Sequence, residues 1–206
     1  MEKTVIFDLG GVLIDWNPRY LYRQLFAREA DMEDFLTRIC NFEWNDQQDA
    51  GRPFAEAIAE LSERHPGQRP LIELYFERWD EMLGGALEET VEILSSLRDR
   101  NVRLFALTNF SAETFPIARE RFEFLNWFEG ILVSGEEGMK KPEHRIFHRL
   151  AERYGLTLEG AAFIDDVPKN IEAARQLGLH GIHFTSAADL KRDLDHFLAP
   201  PPPPPP

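Results

Sequence analysis

Short apolar runs rich in β-branched and aromatic residues recur along the chain at Thr4–Phe7, Val102–Leu107, Gly130–Val133, Ala161–Ile164 and Gly181–Phe184. Runs of this length without polar alternation predict strands buried on both faces, as in a parallel sheet covered by helices. Between most of them the period changes to that of a helix. Glu88–Arg100 sets Val91, Leu94 and Leu97 on one face, and Glu143–Tyr154 does the same with Ile146, Phe147, Leu150 and Tyr154. Asn170–Leu177 follows with Ile171, Ala174 and Leu177. In the second of these, Pro142 stands at the natural first helical position and Gly155 at the natural stop. Alternating strands and helices predict an α/β fold, a doubly wound Rossmann-like parallel sheet.

The alternation fails once. From about Asn17 to Leu87 the pattern is helical with no convincing strand, which predicts a small helical cap inserted into the sheet-forming chain. Its apolar faces are Leu21, Leu25 and Phe26; Phe35, Leu36 and Ile39; Phe54, Ala57, Ile58 and Leu61; and Leu71, Leu74, Tyr75 and Met82, hence four short helices. The expected organisation is therefore an α/β core of residues 1–16 and 88–199, a cap of residues 17–87, and a tail of residues 200–206. The tail is an unbroken proline run, which predicts a solvated, disordered polyproline II segment.

Composition narrows the function. The chain has 206 residues, 43% of them hydrophobic, enough apolar mass for a sizeable core. It carries 36 acidic against 23 basic residues, a net charge of −13, which opposes broad attraction to nucleic acid or anionic lipid. A phosphorylated ligand would need a local cation. Cys40 is the single cysteine, so neither an internal disulfide nor a cysteine zinc cluster can form. The first residues do not resemble a signal peptide and no apolar run is long enough for a membrane span, so a cytoplasmic location is expected.

In an open parallel sheet, ligands bind beyond the carboxyl ends of the strands. Asp8 ends the first strand, Thr108 and Asn109 the second, and Asp165 and Asp166 the fourth, while Lys141 follows the third. A nucleophilic carboxylate, a hydroxyl, an amine and a paired carboxylate on one edge suit phosphoryl transfer, which needs a nucleophile, shielding cations and fixed donors. Asp8 and Asp166 could supply the one or two carboxylates that Mg²⁺ takes. Lys141 and Thr108 could hold the phosphate oxygens, with Lys141 aided by the dipole of the helix expected from Pro142.

These motifs, Asp8-Leu9-Gly10-Gly11-Val12, Leu107-Thr108-Asn109, Lys141-Pro142 and Asp165-Asp166, resemble those of the haloacid dehalogenase-like hydrolase superfamily. Asp8-Leu9-Gly10, with Asp15-Trp16-Asn17-Pro18-Arg19 and Asp49-Ala50-Gly51-Arg52-Pro53, looks most like its subgroup of bacterial glucose-1-phosphate phosphatases. The resemblance implies a nucleophilic Asp8 that forms an aspartyl-phosphate, phosphate contacts from Thr108, Asn109 and Lys141, and Mg²⁺ bound by Asp8, Asp166 and the carbonyl of Gly10. Asp165 would support this set from behind, and the cap would select a small phosphorylated metabolite, expected to be a sugar phosphate.

One position departs from that pattern. Phosphatases of the superfamily usually place a second aspartate two residues after the nucleophile as acid and base, and this chain has Gly10 there. Such catalysis is worth roughly 10²–10⁴-fold. Asp15, Asp46 and Asp49 are the candidate replacements, and a glycosyl phosphate, with its more acidic leaving group, would need the acid less. Two rival readings stay open: a metal-independent 2-haloacid dehalogenase, in which Asp8 attacks carbon, and a catalytically weak binding or regulatory protein. Asn170 reads as a helix N-cap, His144 and His148 as surface residues, and Trp44 and Trp79 as cap core. Arg52 reads equally as an exposed loop residue or as one that reaches the site.

Overall fold

Val5 and Phe7 pack into one apolar cluster and Ile6 into another, and all three are fully buried. That is the two-residue alternation of a strand covered on both sides. The computed structural model describes residues 3–199; the expected proline tail lies outside them. Among the described residues the strands are β1 (Thr4–Phe7), β2 (Ile14–Trp16), β3 (Leu83–Ala86), β4 (Arg103–Thr108), β5 (Gly130–Val133), β6 (Ala162–Asp165) and β7 (His180–His183). The helices of the first half are α1 (Arg19–Tyr22), α2 (Glu29–Arg38), α3 (Phe42–Asp49), α4 (Phe54–Arg64) and α5 (Arg69–Glu77). Those of the second half are α6 (Glu88–Asp99), α7 (Phe115–Arg121), α8 (Ser134–Glu137), α9 (His144–Tyr154), α10 (Pro168–Gln176) and α11 (Ala187–Leu198).

The five strands expected from their apolar runs form one parallel sheet in the order β5-β4-β1-β6-β7. The fold is thus the Rossmann-like α/β sheet that the alternation predicts. Leu94 and Leu97 of α6 and Leu190 and Leu194 of α11 cover one face. Ile146, Phe147 and Leu150 of α9 and Ile171 of α10 cover the other. The chain leaves β1 toward β4 and β5, then crosses back to β6 and β7, so its order reverses at β1. A crevice at the carboxyl edge is the geometric result.

Three expectations are corrected. Leu83–Ala86 lies inside the stretch read as strandless, yet it is β3, antiparallel to β2 with Ile14 opposite Ala86. Its Leu-Gly-Gly-Ala sequence has no alternation to betray it. The same stretch holds five α-helices rather than four. The unforeseen one is α3, whose sequence FEWNDQQD has almost no apolar periodicity; it starts where the Asn41 side chain accepts the Trp44 N–H at 2.8 Å. Finally, Pro142 does not open a helix: the Lys141–Pro142 peptide is cis and α9 begins at His144. Lys141 therefore precedes a turn and not a helix N-terminus.

The residues between β2 and β3 share a core with the sheet. One cluster runs from Phe7, Leu9 and Leu13 through Leu21 and Met32 to Phe54 and Tyr75. No helix among the described residues is long and apolar enough to cross a membrane.

Candidate active site

Adjacent strands β4, β1 and β6 end together, and their ends bring Thr108, Asp8 and Asp165 to one place. Asp8 continues the strand pairing, its N–H donating to Ile164 O at 2.8 Å. Lys141 arrives from the loop before α9, and its ammonium bridges Asp8 Oδ1 at 2.8 Å and Asp165 Oδ2 at 2.7 Å. Lys141 is 1% exposed and Asp165 0%, so both charges depend on these partners and not on water.

Asp165 is saturated. Besides Lys141, its oxygens accept the Val167 N–H at 2.8 Å and the Asn170 amide at 3.0 and 3.1 Å. Asn170 is thus not the N-cap that its position suggested; Val167 is. Its amide orients Asp165 from the first turns of α10. Asp8 differs: its Oδ1 accepts the Leu9 N–H at 2.7 Å and Lys141, whereas no hydrogen bond reaches Oδ2 among the described residues. Asp166, next to the saturated residue, is exposed on the crevice.

Asp8, Asp165 and Asp166 can bring carboxylate oxygens within 4.8 Å of one another. Three carboxylates share one ammonium. Burial, opposed by Lys141 and reinforced by Asp165, pushes Asp8 up to about 7. Burial and then Asp165 also raise Asp166 above the ordinary carboxylate value. Burial alone would lower Lys141, but the two carboxylates outweigh it and hold the ammonium above its usual pKa. A divalent cation would relieve the excess negative charge, and an all-oxygen donor set fits a hard ion such as Mg²⁺.

The loop after β1 leaves room for such a ligand. Gly11 has a φ of +73°, and a Cβ there would come within 2.4 Å of Asp166 Oδ2. Glycine therefore lets the backbone approach this carboxylate. Gly10, Gly11, Asp8, Lys141, Asn109 and Asp166 all line one cavity of about 260 Å³. Asn109 spends its side chain on Lys141, its Oδ1 accepting the Lys141 N–H at 2.8 Å and its Nδ2 donating to the Lys141 carbonyl at 3.0 Å. It anchors the lysine's backbone. Thr108 is fully buried outside the cavity wall, and its hydroxyl has no hydrogen-bond partner among the described residues.

Apart from Phe54, the far wall comes from residues that periodicity did not single out. Trp16, Phe42, Asn45, Asp46 and Asp49 line it with Phe54, Trp79 and Phe110, so that it is mostly apolar. Trp79, read as core, is buried and still meets the cavity; Trp44 stays within the core. Phe42 is 69% exposed, a large apolar ring at the rim. A polar helix at the open end of a sheet is the available signal for α3. Arg52 does not reach the cavity; it pairs with Glu60 and Glu56. His144 and His148 are exposed, as read from the sequence.

Several contacts tie this wall to the sheet's loops. Lys140 pairs with Asp46, the Ser134 hydroxyl donates to the Asp49 carbonyl, and Glu113 accepts the Phe54 N–H at 2.7 Å. Gly135 permits close approach of the loops after β4 and β5 to each other: a Cβ would lie 2.5 Å from the Ala112 nitrogen.

A buried lysine clasped between two strand-end aspartates, with a third carboxylate beside them, defines a hydrolase of the haloacid dehalogenase-like class. The model of the haloacid dehalogenase-like hydrolases matches residues 2–178, and the chain belongs to that family. It is therefore a hydrolase. It is 27% identical over 187 residues to the sesquiterpene phosphatase astK of Aspergillus oryzae, covering 90% of this chain and 91% of the relative. It is 24% identical to the GMP/IMP nucleotidase YrfG of Escherichia coli, over 85% of this chain and 79% of that one. A haloacid dehalogenase family enzyme of Bacteroides thetaiotaomicron, solved with magnesium and inorganic phosphate, shares the fold at a TM-score of 0.65 and 22% identity, covering 89% of this chain and 94% of that one.

Proposed function

We propose that the protein is a Mg²⁺-dependent phosphatase that hydrolyses a small phosphorylated metabolite through an aspartyl-phosphate on Asp8. The observation that carries this reading is the Lys141 ammonium held 2.8 Å from Asp8 and 2.7 Å from Asp165. It fixes one Asp8 oxygen and leaves Oδ2 free of protein partners, the arrangement of a nucleophile aimed at a ligand. Lys141 also supplies positive charge where the equatorial oxygens of a transferring phosphoryl group would lie. Thr108, expected from the sequence as a phosphate contact, lies fully buried behind the cavity wall and has no part in this reading.

Mg²⁺ would be held by Asp8, Asp166 and the Gly10 carbonyl, with the saturated Asp165 behind them. When bound, it neutralises phosphate charge that one lysine cannot balance alone. Asn109 and Asn170 act through other residues, keeping Lys141 and Asp165 in place. Residues 17–87 serve as the cap, and its helix α3 closes the crevice. The ring-bearing wall of Trp16, Phe42 and Trp79 fits an organic moiety with an apolar face, as a sugar ring has, while Asn45 offers a polar partner.

Phosphate release from glycosyl, alkyl and nucleoside phosphates, with and without Mg²⁺, tests the reading. Activity should require Mg²⁺ and vanish in Asp8→Asn. Halide release from 2-haloacids without metal would establish the dehalogenase instead.

A further inference from the structure

Departure of an alkoxide from phosphorus needs a proton donor, and attack by water on a phosphoenzyme needs a base. Neither Lys141 nor Asp8 is available, since each is committed to the clasp described above. Gly10 lines the cavity but has no side chain. Three other aspartates were candidates by sequence, and their surroundings separate them. Asp15 lies on β2, accepts the Tyr20 hydroxyl at 2.6 Å and is absent from the cavity wall. Asp46 reaches the wall but is taken up in an ion pair with Lys140.

Asp49 faces the same cavity as Asp8 and has no cationic partner among the described residues. Its side chain accepts only weak support, from the Asn45 amide at 3.2 Å and the Ser111 N–H. Its backbone, by contrast, is held to the sheet: the Asp49 carbonyl accepts the Ser134 hydroxyl, which itself accepts the Phe110 N–H at 2.9 Å. Gly51, two residues on, brings the chain against Gly135, whose carbonyl would lie 3.1 Å from a Cβ. The last turn of α3 is therefore fixed against the loops that follow β4 and β5.

We infer that Asp49, carried by the helical insertion, is the general acid and base of the reaction, in the role for which Gly10 has no side chain. This rests on the phosphatase reading. In the first half-reaction an Asp8 oxygen bonds to phosphorus, the bond from phosphorus to the leaving oxygen breaks, and that oxygen takes the Asp49 proton. In the second, the Asp49 carboxylate takes a proton from water, whose oxygen bonds to phosphorus as the bond to Asp8 breaks. Inorganic phosphate leaves, and Asp8 and Asp49 regain their starting states. Burial pushes the Asp49 carboxyl up to about 7, so both forms are populated at neutral pH, which suits a group with both tasks. The other charged groups on the cavity are Asp8, Asp166 and Lys141 from the sheet side and the Asp46–Lys140 pair; Tyr75 of α5 also faces Asp49.

The experiment compares wild type, Asp49→Asn and Asp49→Glu with Mg²⁺ on p-nitrophenyl phosphate and on a simple alkyl phosphate, across pH 5 to 9, with the melting temperature as a fold control. Asp49→Asn should lose about 10²–10⁴-fold on the alkyl ester. It should lose far less in the nitrophenol burst, because that leaving group needs no proton, and the inflection near neutral pH should disappear. Asp49→Glu should recover part of the alkyl activity. A nitrophenol burst slowed as much as alkyl turnover, or alkyl turnover like wild type, would overturn the assignment to Asp49 while leaving the phosphatase intact. Wild type inactive on both esters would overturn the phosphatase reading and this one with it.

Discussion

Asp49 should leave a mark on stability that needs no substrate. Its carboxyl rises from 3.8 in the open chain to about 7 in the fold because burial disfavours the charged form. Between these values the folded protein binds more protons than the unfolded chain, so the slope of unfolding free energy against pH is negative. The contribution is present below pH 4 and is lost as pH rises toward 7. A displacement of this size corresponds to at most about 4 kcal/mol, at roughly 1.36 kcal/mol per pH unit, reduced by whatever water enters the cavity. Asp49→Asn keeps the shape and removes the titration. The variant should therefore gain on wild type as pH rises, by up to about 4 kcal/mol between pH 4 and pH 8. Asp8 titrates in both proteins and cancels in the difference. Urea unfolding of the two proteins at half-unit pH steps, without added metal, measures it. A difference that stays flat across this range would mean that Asp49 titrates as an ordinary surface aspartate, and the electrostatic reasoning would fail.

Other outcomes follow from single contacts. Gly11→Ala would place a Cβ 2.4 Å from Asp166 Oδ2 at a φ of +73°; it should weaken Mg²⁺ affinity by about tenfold or more, at about 1.4 kcal/mol per tenfold, read as a rise in the half-saturating metal concentration. Glu113→Ala removes the acceptor from the Phe54 N–H at the start of α4, which should cost about 1 kcal/mol by urea denaturation, the usual value of an N-terminal cap. Asp8→Asn should abolish incorporation of labelled phosphate into acid-quenched protein, whereas Asp49→Asn should still incorporate it from an aryl ester.

The legible part of the molecule is where side chains repeat with a period. β1, β4, β5, β6 and β7 were readable because strands buried on both faces must be continuously apolar, and α6 and α9 because one stripe of each is buried. The polar residues that end these runs, Asp8, Thr108, Asp165 and Asp166, were legible for the same reason, whereas Lys141 stands in a loop well beyond its strand. A charge at the end of an apolar strand is costly unless it has partners. The resemblance to the hydrolase family then supplied their order.

The amino-acid sequence by itself thus determined the sheet, the polar residues along its carboxyl edge and the family. Tertiary structure decided what lies opposite that edge. α3 has a polar sequence with no stripe to reveal it, and β3 is a glycine-rich strand that exists only because β2 lies beside it. Asn170 looks like a cap until its amide is seen on Asp165. Asp15, Asp46 and Asp49 are chemically identical in a string of letters. A hydroxyl from Tyr20, an ammonium from Lys140 and a cavity facing Asp8 distinguish them. Periodicity reports burial along one element, whereas proton affinity depends on the charges and solvent that other elements bring to a side chain.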